Sequence, residues 1–98
     1  MAKAPLPGLA KTRLCPPLRP REAADLARGF LLDTIDTLRA VPHIDPYLAY
    51  TPRDEEAYFR AACPPAFGLI PQPEGDLGAR LAGIAGQLFA AGYGRVLL

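Results

Sequence analysis

The chain has 98 residues, half of them apolar and 21% charged, with a net charge of +1. That length bounds it to one domain with a modest core, and a chain of this size buries roughly two-thirds of its unfolded surface. The charge balance excludes a disordered tail and gives no sign of nucleic-acid binding. Cys15 and Cys63 stand 48 positions apart, without zinc-site spacing or the cysteine density of a secreted disulfide scaffold, so reduced thiols in the cytoplasm are expected. Pro5, Pro7 and Gly8 break any signal-peptide core. The longest uncharged run, Leu81 to Gly94, is too short to span a bilayer as a helix. No membrane or nucleic-acid partner is therefore expected.

The opening segment "AKAPLPGLAKTRL" shows no strand in front of it and reads as a loop. A first helix is predicted from Pro20, with proline in the first turn and Glu22 serving the exposed amides. Ala24, Ala27, Leu31, Ile35 and Leu38 form its apolar stripe, which Leu26 and Phe30 widen. "YLAY", residues 47 to 50, reads as a strand, and Thr51 as the cap of a second helix from Pro52 to Ala62. "FGLIPQ" reads as a second strand with Pro71 at its end or on an edge. Asp76 caps a third helix running to about Ala91, its buried face made of Leu77, Leu81, Ile84, Ala85, Leu88 and Phe89. Gly92 takes the left-handed cap position, and "RVLL" begins a further strand. This order predicts an α/β fold, Rossmann-like, with a mostly parallel sheet and helices packed on it. The missing first strand and the ending at "RVLL" lead us to expect a truncated domain.

Two segments carry candidate chemistry. "PLPGLAKT" fails as a P-loop, because Pro5 and Ala10 hold the two glycine positions and only Lys11-Thr12 match. Its ingredients still suit an anion: Gly8 lets backbone approach closely, while Lys3, Lys11 and Arg13 supply positive charge, arginine bidentately. A solvated basic turn accounts for the same residues, and composition leaves both readings open. In "PEGDLGARL" a glycine turn leads to a helix N-terminus with Asp76 at the cap and Arg80 one turn on. Helix capping is the favoured role for Asp76; its alternative is a hydrogen bond to a ribose, base or sugar hydroxyl. His43 lacks partners for a metal site, Cys15 lacks a base, and "RDEEAYFR" is the wet face of a short helix. The four tyrosines read as strand and core-edge residues.

At "AKAPLPGLAKTRLCPPL" the sequence resembles a bacterial family of glycosyltransferase-A-like proteins, often labelled radical-SAM/selenodomain-associated transferases. It is more distantly similar to 2-phospho-lactate guanylyltransferase. The shared pattern is matched by Ala2, Lys3, Pro5, Pro7, Gly8, Lys11, Thr12, Arg13 and Leu14. The likeness continues through "RPREAADLARGFLLDT", "LAYTP", "GDLGARL" and "GYGRVLL", with Arg19 departing from the family's serine. It implies a nucleotide-diphospho-sugar transferase fold, of which residues 1–98 form the donor-nucleotide-binding half. Lys3, Gly8, Lys11, Thr12, Arg13, Gly75 and Asp76 would then face a nucleotide or nucleotide-sugar. It further implies a divalent metal, Mg or Mn, whose aspartate would fall beyond Leu98, so the piece alone is expected to be inert as a glycosyl- or nucleotidyltransferase. The alternative expectation is a non-catalytic module that binds a nucleotide or pairs with another chain, a second copy included.

Overall fold

The computed structural model describes residues 1–98. It is an α/β fold: a parallel three-stranded sheet in the order β1 (Ala2–Lys3), β2 (Tyr47–Thr51), β3 (Gly68–Pro71), with α1 (Pro20–Arg39), α2 (Glu56–Ala62) and α3 (Leu77–Ala90) around it. Alternation along β2 sorts the core into two layers. Leu48 and Tyr50 join Ala4, Ile35, Phe59, Cys63 and Phe67 under α1 and α2, whereas Ala49 joins Ile70, Ile84 and Leu88 under α3. The fully buried Phe59 fills the larger cluster, its ring 5.3 Å from that of Tyr50.

The helix boundaries follow local chemistry. Pro20 opens α1, and Glu22 Oε1 accepts from the Arg19 backbone N–H at 2.9 Å. Arg19 has no side-chain acceptor to return the bond, so only half of a capping box forms. Asp76 Oδ1 accepts from Ala79 N–H at 2.8 Å and starts α3. That helix ends as the sequence indicates: Gly92 has φ +105°, Tyr93 N–H donates to Leu88 O and Gly92 N–H to Phe89 O, the paired bonds of a Schellman cap. Pro71 closes β3, an edge strand.

Five expectations are corrected. A strand does precede the opening loop: Ala2 pairs with Tyr50 and Lys3 with Thr51. Two residues carry no periodicity, so β1 exists only through that pairing. Thr51 is the last residue of β2 rather than a helix cap, and Arg53–Glu55 form a 3-10 turn before α2 starts at Glu56. "RVLL" forms no strand, because none of its residues joins the ladder; Val96 instead packs on the α3-side cluster. Leu26 and Phe30 are exposed, as are Leu77 and Phe89. A three-stranded sheet is about 10 Å wide, close to the width of one helix, so each helix lays only a narrow stripe on it. No helix is long and apolar enough to cross a membrane.

Candidate functional site

Because all strands are parallel, their C-terminal ends, Lys3, Thr51 and Pro71, lie at one edge of the sheet. The loop after β1 and the turn after β3 both leave from that edge, where open α/β sheets bind ligands.

The β1 loop is pinned before it presents its charges. Ala4 and Ala10 are buried and Leu9 packs on the larger cluster. Leu9 and Ala10 N–H groups both donate to Leu6 O, closing a turn at Gly8, whose φ is +78°. Lys11 follows in the left-handed region at φ 49°, and Thr12–Leu14 form a 3-10 turn with no buried residue. Lys3, Leu9, Lys11, Thr12, Arg13 and Leu14 thereby line an open hollow of about 450 Å³, within the usual size range of small-molecule sites. Four of the expected binding residues converge here. Gly8 does not line the hollow, and space beside it is open; what the structure requires of it is the left-handed turn rather than a close approach.

No carboxylate neutralises this hollow. The chain's ion pairs are Arg39 with Asp36 and Arg60 with Glu56, leaving Lys3, Lys11 and Arg13 without an anionic partner. The Lys11 ammonium instead rests 4.7 Å above the Phe30 ring, which is 52% exposed. Composition did not suggest this contact, since Phe30 reads as part of the buried stripe.

Gly75 and Asp76 sit apart, in the turn from β3 to α3. Gly75 has φ +115°, and a Cβ there would lie 2.9 Å from that of Ala79. The Asp76 carboxylate is engaged in the helix cap. Gln72, which the sequence reading passed over, ties this turn to β1. Its Nε2 donates to Ala49 O at 3.1 Å and Ala2 O at 3.2 Å, and its Oε1 accepts from Arg80 Nη1 at 3.3 Å. Arg80 Nε donates to Gly75 O at 2.8 Å. A glutamine after a strand-ending proline was the only signal available.

The remaining candidates are structural. An apolar hollow of about 330 Å³ at the opposite edge, between Leu38, Val41, Ile44 and Phe67, has Arg39 as its one charged lining residue. Tyr47 and Tyr93 share a 3.0 Å hydroxyl bond with their rings edge to face. That bond, and then Asp45, push the Tyr93 hydroxyl well above its ordinary pKa. Burial pushes the Cys63 thiol up, which disfavours the thiolate a nucleophile needs. No group of three or more His, Cys, Asp or Glu side chains could hold a metal. The donors in the hollow are ammonium, guanidinium and hydroxyl, which are not ligands for a divalent metal, and the resemblance itself places the metal's aspartate beyond Leu98 rather than here.

A family model described as "Uncharacterized protein conserved in bacteria (DUF2064)" matches residues 34–98. The match begins inside α1 and runs through β2, β3 and α3, leaving the β1 loop outside it. No curated protein and no solved structure matches the chain.

Proposed function

The chain belongs to the bacterial DUF2064 family, and from the geometry of the β1 loop, which lies outside the matched residues, we propose that its cationic hollow holds the phosphate groups of a nucleotide or nucleotide-sugar. Residues 1–98 would then be the donor-nucleotide-binding part of a glycosyl- or nucleotidyltransferase. The observation that carries the reading is the convergence of Lys3, Lys11 and Arg13, unpaired by any carboxylate, on one hollow at the C-terminal edge of a parallel sheet. The resemblance of the opening motif to the transferase family supports the same ligand.

In this role Arg13 offers a planar fork to two phosphate oxygens, Lys3 and Lys11 add point charges, and the Thr12 hydroxyl donates one further bond. The second reading, a nucleotide-binding or protein-interaction module without catalysis, draws on the hollow's lining, which contains no carboxylate, histidine or cysteine to act as base or nucleophile.

Calorimetric titration of the protein with ADP, GDP, CDP, UDP, their sugar conjugates and inorganic pyrophosphate, with and without Mg²⁺ or Mn²⁺, tests the binding claim. Expected is binding that weakens with added salt and is lost when Lys11 and Arg13 are both changed to alanine. Absence of binding to every probe, or binding indifferent to that double change, would overturn it. Release of nucleoside diphosphate from the sugar conjugates, or of pyrophosphate from nucleoside triphosphates added as further donors, separates the transferase from the module.

A further inference from the structure

The stripe that α1 lays on the sheet leaves the rest of a 20-residue helix in solvent, and one line along it is patterned. Arg21, Asp25, Arg28, Leu32, Asp36 and Arg39 recur at spacings of three and four and are all exposed. At about 100° per residue they share one side of the helix. Leu32, the line's one apolar member, is 42% exposed. Asp25 and Arg28 form no ion pair, and Asp36 and Arg39 meet only at 3.8 Å, between side chains that are 74% and 60% exposed, a contact worth little. Phe30, two residues before Leu32, lies about 160° round the helix, so the line is remote from the cationic hollow.

The order of charges along this line is complementary to itself. Against a second copy running antiparallel, with Leu32 on the two-fold axis, Arg28 stands opposite the partner's Asp36 and Asp25 opposite the partner's Arg39, each pair occurring twice by symmetry. Sliding one helix by a turn either way sets Arg39 against the partner's Arg21 or the partner's Arg28, so like charges disfavour the neighbouring registers. Parallel pairing sets every charge against its own kind. We propose that this side of α1 is the interface of a two-fold dimer of the chain, with Leu32 at its centre. Arg39 also lines the apolar hollow at the helix end, beside Val41 and Ile44, which are 44% and 43% exposed. That hollow continues the interface at both of its ends. A helix of this length spans about 30 Å, and one helix pair buries well under the roughly 1,600 Å² of a standard interface. The dimer is therefore weak, concentration-dependent and sensitive to salt. It leaves the cationic hollow open, so it stands or falls independently of the phosphate-holding role.

Sedimentation velocity over a concentration series, at low and high salt, tests the proposal on the wild-type protein, Arg28→Asp, Asp36→Arg and an equal mixture of the two variants. The wild type is expected to pass from monomer to dimer, less so at high salt. Each variant alone sets like charges opposite one another at two places and should raise the dissociation constant about tenfold or more. In the mixture every one of these pairs is again of opposite charge, so dimer should return, as a heterodimer carrying one chain of each kind. Leu32→Glu, which brings two carboxylates together on the axis, should also abolish the dimer, and it carries the test should either charge variant not fold by circular dichroism. A wild type that stays monomeric throughout overturns the proposal. Variants that dimerise as the wild type does overturn the choice of this face, and a mixture that stays monomeric overturns the antiparallel register.

Discussion

Removing the Phe30 ring should tighten anion binding. In the free protein Lys11 Nζ lies 4.7 Å from the ring centroid, and the left-handed backbone at Lys11, φ 49°, sets the stem's direction toward it. A cation over an exposed phenyl ring gains about 0.5–1 kcal/mol. An anion that draws the ammonium into the hollow forfeits that contact, so the ring acts as an internal competitor. Phe30→Ala should therefore raise pyrophosphate affinity about 2- to 5-fold, the same energy expressed as a ratio of dissociation constants. Phe30→Leu, apolar but without a π face, should behave likewise, which separates the ring's electrostatics from its bulk. Since Phe30 is half-exposed, folding stability should change by less than about 1 kcal/mol. Calorimetric titration at constant ionic strength reads the effect, and in a Lys11→Met background the same substitution should do nothing. An unchanged or weakened affinity in Phe30→Ala would falsify the competition.

Arg13→Ala should weaken pyrophosphate binding about 10- to 100-fold, the worth of a hydrogen bond to a charged group. Its thermal midpoint should stay within a degree or two, since Arg13 is exposed and makes no hydrogen bond or ion pair to lose; a large fall in midpoint would make the residue structural. Phe59→Ala empties the centre of the larger cluster and should cost about 3–5 kcal/mol in urea unfolding, a large part of the ~5–15 kcal/mol of a domain this size, and a cost under 1 kcal/mol would contradict the assigned core. Asp76→Ala removes the acceptor of the Ala79 N–H and should lower stability by roughly 1 kcal/mol, whereas an unchanged midpoint would show that the cap does not stabilise the helix. Stability should also fall as pH rises above roughly 8.5, the pKa of an unfolded thiol. Burial raises Cys63 in the folded state, so the native protein holds its proton when the unfolded chain has released it. Cys63→Ala should flatten that slope, and an equally steep decline in the variant would assign it elsewhere.

What could be read from the residues was local. Pro20 with Glu22, Asp76 before Leu77, and Gly92 after Ala91 mark helix ends because each satisfies backbone groups within a few positions of itself. Helices alternating with short apolar runs implied parallel pairing, and the sheet is parallel. The failures were all partnership questions. Ala2–Lys3 became a strand because Tyr50 and Thr51 lie beside it, and "RVLL" did not because no strand does. Periodicity marked Leu26, Phe30, Leu77 and Phe89 as apolar but could not say that the sheet is too narrow to cover them.

The candidate site divides in the same way. The sequence by itself determined that Lys3, Gly8, Lys11, Thr12 and Arg13 sit close together, since one short proline-stiffened segment contains them all. It also determined that Asp76 would cap a helix. Only the tertiary structure decided that Lys3 ends a strand while Gly8 serves a turn, that Lys11 rests on a ring 19 positions away, and that Gln72 and Arg80 tie the Gly75 turn to β1. The reason is physical: a backbone cap is satisfied by neighbours in the chain, whereas a side-chain amide or an ammonium takes whichever partner the packing of the sheet brings within reach.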